Sequence, residues 1–578
     1  MIICGIKLTH DGAIALIDNG KLIFSYEMEK LDNMPRHSDF CITMERVNSI
    51  LDTYGYSFNR VDQWVLDGWD NWNLHETTTA DPGKQNVYTI QLDDANKVEI
   101  ELADYGHFVE RSDDILKSSR FTMKALNLPY KSYKHVTGHV TGAYCTSTFA
   151  KKQEDSFILV WDGGMPPQFF YYKYKENKVI NLGHLFLLAG HIYINFAHAF
   201  KPFCLQERSL SIAGKAMAYV AAGELNPHVL DAYKRIFTNM NNAVSKEPVN
   251  MNLVDVLTME FVKQAKELCS SGNIRHEDML TTFHFFIQDI IIEELRKKVQ
   301  EHREFANNLC FAGGSALNIK WNSAIRSSGI FKDIWVPPFP NDSGSALGAA
   351  CCEMMMSDNI RSLQWNVYSG PVVGDAPADS YPYLSSDCSL EKLAHILHRY
   401  NEPIVVLNGS AELGPRSLGN RSIIAAAVDP AMKSRLNMIK GREDYRPVAP
   451  ICIEEDAPVV FDPGSPDPYM LYEHIVKPGW KNKVPAICHL DGTARLQSVN
   501  KNENPVIYEL LVQYKKVSGI PLLCNTSANF NGKGFFPDVE SVMKWGKVNY
   551  IWSNGKLYYK EAAANEMDLV EKNSIAAG

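Results

Sequence analysis

The chain has no CxxC pair, although it carries 12 cysteines in 578 residues, and only Cys351 and Cys352 are adjacent. Paired-thiol zinc or redox chemistry is therefore not expected, and scattered core cysteines in a reducing compartment are. No block of basic residues stands out and the formal charge is −9, so a nucleic-acid partner is not encouraged. No stretch is long and apolar enough to cross a bilayer, and the first residues lack the basic and apolar segments of a signal peptide. These absences predict a cytoplasmic protein with no membrane and no nucleic-acid partner, compatible with a homodimer. What is present is ordinary for a globular protein: 45% hydrophobic and 22% charged residues. The length is enough for about two to four domains.

His135 and His139 stand four apart. On a helix that spacing stacks both imidazoles on one face, within reach of a single metal ion. Two neutral histidines leave a divalent metal short of ligands, so oxygen donors must arrive from elsewhere. Asp162 follows the apolar run 157–161 and precedes Gly163 and Gly164, which reads as a buried strand meeting a tight turn. Asp342 lies in a loop entering a small-residue helix, where it is either a ligand or the helix cap. The candidate metal set is His135, His139, Asp162 and Asp342.

In chain order, residues 2–28 predict three strands, with a polar turn at 9–12 and an Asp-Asn-Gly hairpin at 18–20. A hairpin of this kind opening a mixed sheet resembles the start of actin-like ATPases. A helix is expected over 42–56, a strand over 63–67, an inserted hairpin over about 70–110, and another hairpin over 169–182. The small residues of 214–223 suggest close backbone approach, with Lys215 either free to meet an anion or simply solvated. Residues 254–304 read as amphipathic helix. The segment 308–320 reads as strand, Gly-Gly turn and helix, offering Gly313, Gly314 and Asn318 to a nucleotide phosphate or sugar. Residues 365–390, rich in Pro and Ser, read as a linker.

Beyond the linker the character changes. Arg416 and Arg421 sit in a glycine-rich loop, and Lys440, Arg442 and Arg446 in another. His489 and Arg495 follow, then a strand ending in Asn525, Thr526 and Ser527. Cations held in loops beside hydroxyl and amide donors are what a small phosphate plus a nucleotide require.

Four pieces carry a resemblance to a known family: Leu413-Gly-Pro-Arg-Ser-Leu-Gly-Asn-Arg-Ser422, Arg446-Pro-Val-Ala-Pro450, Asp491-Gly-Thr-Ala-Arg-Leu-Gln497 and Cys524-Asn-Thr-Ser-Ala-Asn529. Together they resemble the O-carbamoyltransferases of natural-product and nodulation-factor biosynthesis, over nearly the whole chain. The resemblance implies a mixed α/β protein. Residues 1–360 would form an actin-like ATPase-type domain akin to tRNA threonylcarbamoyl transferase, and 375–578 a YrdC-like α/β domain. It implies that Arg416, Lys440, Arg442, His489, Arg495, Asn525 and Ser527 bind carbamoyl phosphate and ATP with Mg, and that Lys440 and Arg495 take part in making carbamoyl adenylate. The carbamoyl group would then pass to a hydroxylated small-molecule acceptor beside an iron-type metal, with His10 as candidate base. Arg36, His37 and Arg208 lie in the loops freest to choose that acceptor. Lys134, Ala528 and Lys533 depart from the family pattern. The rival reading is a tRNA-modifying enzyme of the same two modules, which the acidic balance disfavours.

Overall fold

Alternating apolar residues build the first layer. Strands β1 (Ile2–Lys7), β2 (Ala13–Asp18) and β3 (Lys21–Glu27) pair antiparallel, and every residue from Ile3 to Ile17 other than Thr9 and His10 is buried. β4 (Gln63–Asp67) runs parallel to β1, β8 (Leu128–Tyr133) runs parallel to β4, and β7 (Ser119–Met123) closes the edge. A second sheet repeats the plan. β9 (Ser156–Val160), β10 (Gln168–Lys173) and β11 (Lys178–His184) are antiparallel, followed by β12 (Asn308–Ala312) and β13 (Asp333–Trp335) parallel to β9.

The two orders, β3-β2-β1-β4-β8 and β11-β10-β9-β12-β13, are the same arrangement used twice. A strand meander that continues into parallel strands, duplicated in one chain, is the actin-like plan. The helices that follow the last strand of each copy are His135–Cys145 and Ser345–Ser357. Within the second copy, between β11 and β12 in sequence, lie the long helices Met251–Gly272 and His276–Glu301.

The structure is a computed structural model that describes residues 1–70, 86–109, 114–244, 247, 249–374 and 381–561. The chain divides into two units, Met1–Met28 with His37–Trp365, and Glu29–Arg36 with Asn366–Gly578. The second unit is therefore not one continuous stretch, because it takes in eight residues from near the start of the chain.

Its main sheet has eight strands in the order β14-β24-β23-β15-β16-β22-β17-β21. These are β14 (Tyr383–Asp387), β15 (Ile404–Leu407), β16 (Arg421–Ala425), β17 (Ala449–Ile453), β21 (Gln497–Val499), β22 (Leu522–Ser527), β23 (Tyr550–Ser553) and β24 (Lys556–Lys560). A small sheet holds β18 (Phe461–Asp462), β19 (His474–Val476) and β20 (Thr493–Ala494). Apolar clusters cover the main sheet; one is built around Leu407, Phe461 and Leu522, another around Leu397, Leu511 and Tyr550.

Of three local readings, one changes, one holds in part and one is borne out over the described residues. The expected linker 365–390 contains β14, which pairs with β24; its polar Ser385 and Ser386 hide an edge strand. Residues 375–380 of that call lie outside the described residues. Within 214–223 the close backbone approach occurs at Gly223, where a Cβ would lie 2.3 Å from Glu277 O, and not at Gly214, which lies on the Ser211–Tyr219 helix with nothing within 4 Å. Of the hairpin expected over 70–110, β5 (Val87–Gln91) pairs with β6 (Lys97–Glu101), while residues 71–85 lie outside the described residues.

Candidate metal and anion sites

The duplicated fold explains why the first site assembles. His135 and His139 lie on the helix of the first copy, and Asp342 opens the equivalent helix of the second. Glycines let those helices touch. A Cβ on Gly348 would come 2.0 Å from Gly138 O, and Thr141 Oγ1 lies 2.7 Å from Gly348 O. Asp162 arrives just past the first strand of the second copy, where the first copy carries Thr9, His10 and Asp11.

One ligand atom from each of His135, His139, Asp162 and Asp342 lies within 4.8 Å of the others, and all four residues are buried. The Nε2 atoms of His135 and His139 face each other at 3.1 Å, with Asp342 Oδ1 at 3.4 and 3.6 Å. Two imidazole nitrogens and a carboxylate oxygen converge there, an arrangement that could hold a metal ion. Asp342 does not cap its helix; its second oxygen faces Lys7 at 3.2 Å and His10 at 3.6 Å. Two nitrogen and two oxygen donors fit a divalent transition metal.

Electrostatics in this pocket are tightly balanced. Burial opposes charge on His135, yet Asp67 and Asp342 raise it to about 9. Burial likewise opposes charge on Asp342, and Lys7, His135 and His10 overcome it, holding the carboxyl well below its usual range. Lys7 is 1% exposed, contacts Asp67 at 3.3 Å and sits over the Trp69 ring at 4.2 Å. His10 lies 3.2 Å from Asp11, which also meets His37 at 2.8 Å.

Sequence reasoning missed Asp67, Lys7 and Tyr105. Asp67 Oδ2 takes the Nδ1 hydrogen of His135 at 2.7 Å, leaving Nε2 as the lone-pair nitrogen. The signal was available, since Asp67 ends a buried strand much as Asp162 follows one. Tyr105 donates to Asp162 Oδ2 at 2.6 Å, but it sits in an irregular stretch with no pattern to single it out.

The Gly-Gly turn has its hydrogen bonds inside the protein. Gly313 N–H donates to Pro340 O, Gly314 N–H donates to Asp162 Oδ1 at 2.7 Å, and the Asn318 side chain accepts from Lys320 and Trp321 amides. This turn positions Asp162. Lys215 bonds Gln206 Oε1 at 2.8 Å. Arg208 bonds Asn195 and lines a groove of about 970 Å³ with His198, Lys263 and Lys266.

The second unit holds a cluster of cations. Lys440, 3% exposed, donates to Asn529 O at 2.8 Å and to the Asn529 and Ser527 side chains. Arg442 donates to Thr526 Oγ1 at 3.1 Å and Ser527 Oγ at 3.2 Å. Asn525 bonds Gln497 and Ser417, fixing the strand end. The Nε atoms of Arg416 and Arg495 are buried without a hydrogen-bond partner. Burial and then neighbouring cations push Arg442 down to about 9. Burial and then Arg446 push Arg495 down to about 10. Lys440 and Arg416 are driven well below their usual ranges by the same two causes. Repulsion of this kind makes the cluster a candidate anion site.

Two further residues of these loops are bonded within the protein. Arg421 is 1% exposed and donates to four backbone carbonyls, those of Asn408, Gly409, Asn420 and Pro371, so it holds the loop. His489 bonds Thr493 at 3.0 Å and lies within 4.8 Å of Glu473 and Asp491. Arg36 and His37 part company: Arg36 belongs to the second unit and His37 to the first.

The family description "Carbamoyltransferase N-terminus" matches residues 2–351, and "Carbamoyltransferase C-terminus" matches 395–551. The chain belongs to the carbamoyltransferase family and is a carbamoyltransferase. It is 42% identical to nodulation protein U of Sinorhizobium fredii (strain NBRC 101917 / NGR234), over 97% of this chain and 100% of that protein. It is 29% identical to 3'-hydroxymethylcephem-O-carbamoyltransferase of Streptomyces clavuligerus, over 98% and 100%. Full-length HypF in its phosphate- and nucleotide-bound form is similar over 62% of this chain and 56% of that one, at 13% identity and a TM-score of 0.31, so the fold rests on strand order instead. No helix among the described residues is long and apolar enough to cross a membrane.

Proposed function

We propose that the protein moves a carbamoyl group from carbamoyl phosphate to a hydroxyl of a small molecule, through carbamoyl adenylate and at the expense of ATP. The observation that carries this reading is the pair of buried, unpartnered guanidinium nitrogens of Arg416 and Arg495 beside Lys440 and Arg442. A cluster so short of counter-charge supports binding of phosphates. The relative named for O-carbamoylation of a hydroxymethylcephem supports a hydroxyl as the acceptor class.

The chemistry follows from the substrate. A carbamoyl carbonyl is a poor electrophile because its nitrogen donates into it. Carbamoyl phosphate and water give carbamate and phosphate; the carbamate oxygen then attacks the α-phosphorus of ATP and releases pyrophosphate. The mixed anhydride carries a good leaving group, AMP. In this reading Arg416, Lys440, Arg442 and Arg495 neutralise the phosphates while Asn525 and Ser527 orient them.

Transfer is assigned to the first unit. His135, His139, Asp162 and Asp342 would hold a divalent ion, iron on the family resemblance, and Asp67 orients His135. Such an ion, when bound, polarises the carbonyl. His10 accepts the acceptor's hydroxyl proton, and Asp11 holds its ring. His37 bonds the other oxygen of Asp11, and this reading assigns it to acceptor binding.

The test separates two half-reactions. With ATP and carbamoyl phosphate alone, Arg495→Ala should lose pyrophosphate release by roughly 100-fold or more. His135→Ala should keep that release and lose transfer to a hydroxylated acceptor. A folded His135→Ala protein that loses both refutes the division of labour.

A further inference from the structure

We propose that Arg36, carried by the strap Glu29–Arg36, completes the phosphate-binding cluster of the second unit by bonding a phosphate oxygen of its ligand. This rests on the anion-site reading above and moves Arg36 away from the acceptor loops in which the sequence alone places it.

The strap is held at both ends onto loops that carry the cluster. At its start, Lys30 is 2% exposed and donates to Glu412 O and Gly414 O, each at 2.6 Å, in the loop that bears Arg416. Lys30 also lies over the Phe535 ring at 4.9 Å. At its end, Pro35 bridges Lys533 and the Arg36 amide donates to Gly532 O at 3.0 Å. Those residues continue directly from Asn529, the partner of Lys440. Between them, Gly534 N–H donates to Met34 O, and a Cβ on Gly534 would sit 1.8 Å from Glu29 O, so only glycine admits the strap this closely.

The strap thus runs from the loop of Arg416 to the loop that receives Lys440, with Arg36 bonded to the latter. Its charge is felt there: it is among the cations that hold Arg416, Lys440, Arg442 and Arg446 below their usual ranges. Its own acidic neighbour is Glu29, at 4.0 Å, and its side chain is 34% exposed. One more cation beside an already repulsive group is unfavourable without an anion. Fixing it there with eight residues of strap, drawn from near the other end of the sequence, is explained by a ligand carrying several negative charges. An arginine suits that ligand because its planar fork matches two phosphate oxygens.

The experiment uses the full chain and follows acceptor-independent pyrophosphate release, varying Mg-ATP and carbamoyl phosphate separately. Arg36→Ala should raise the KM of one phosphate substrate by about tenfold or more, and Arg36→Lys should recover much of that loss. A rise for ATP assigns Arg36 to the triphosphate; a rise for carbamoyl phosphate assigns it to that smaller anion. The ligand-free melting temperature of Arg36→Ala should match the parent, because the strap is anchored by Lys30 and by backbone bonds. Unchanged KM values for both substrates in folded Arg36→Ala overturn the proposal and leave the adenylate reading standing. Loss that tracks a lowered melting temperature and is not recovered by lysine also overturns it. A parent protein that releases no pyrophosphate overturns the adenylate reading itself, and Arg36 with it.

Discussion

Asp67 Oδ2 lies 2.7 Å from His135 Nδ1 and 3.3 Å from Lys7 Nζ, so one buried carboxylate both fixes a histidine tautomer and neutralises a lysine. The contact joins the end of a strand to the start of a helix 68 residues later. Asp67→Asn keeps the shape and removes the charge. Metal affinity should fall by roughly 10–100-fold, the usual effect of losing such an outer partner. Titration of metal-free protein with a divalent ion reads this directly. Equal affinity in parent and variant refutes the orienting role.

Gly348 sets the spacing of the two site helices. Alanine is ordinarily the better helix residue by about 1 kcal/mol. Here its Cβ would meet the backbone oxygen of Gly138 at 2.0 Å, an atom that no rotamer change moves away. Gly348→Ala should therefore destabilise the first unit by about 1–3 kcal/mol, as overpacking does. It should also weaken metal binding, because Asp342 sits six residues before Gly348 and His139 follows Gly138. Denaturant titration with a metal-binding measurement checks both, and a stabilised variant contradicts the account.

The sequence made some of this legible and hid the rest for definable reasons. An i, i+4 histidine pair is local, so His135 and His139 could be found together before any fold was known. Asp162 and Asp342 carried local signs, a strand followed by a Gly-Gly turn and a loop before a small-residue helix. Their meeting depends on two copies of one fold touching through Gly138 and Gly348, which no single window contains. The antiparallel opening hairpins were plain from alternation and turn residues. Strand β14 was not, because an edge strand with two serines and a polar end resembles a linker. Arg36 illustrates the hardest case: the strap Glu29–Arg36 belongs to the second unit, while the chain on either side of it belongs to the first.

His10 offers a sharper test of the transfer step than the metal ligands do. Its Nδ1 is 3.2 Å from Asp11, its Nε2 3.6 Å from Asp342, and its ring meets Trp69 edge-on at 5.0 Å. Burial opposes its charge, and Asp342 and Asp11 raise its pKa above the ordinary histidine value. His10→Gln keeps a polar side chain and removes the base. Transfer to a hydroxylated acceptor should slow by about 10²–10⁴-fold, the usual contribution of a general base. Pyrophosphate release without acceptor should persist. Unimpaired transfer shows that another group takes the proton.

His284 gives a pH signature independent of catalysis. It is fully buried, its Nδ1 meets Tyr193 OH at 3.0 Å, and its Nε2 has no partner. Its ring stacks on Trp321 at 5.6 Å. Burial first, and Lys320 second, lower its pKa from 6.5 to about 3. The sign follows from proton binding. Between about 6.5 and about 3 the unfolded chain takes up a proton that the folded protein refuses, so this group removes stability as pH falls. Each unit of pH through that window costs about 1.4 kcal/mol. His284→Phe keeps an aromatic ring on Trp321 and deletes the titration, at a constant loss from the Tyr193 bond. The parent's stability should therefore fall more steeply than the variant's as pH drops from about 7 to about 5. Denaturant unfolding of both proteins across that range measures the difference, and because every other group is shared, parallel curves would mean that His284 is not held neutral.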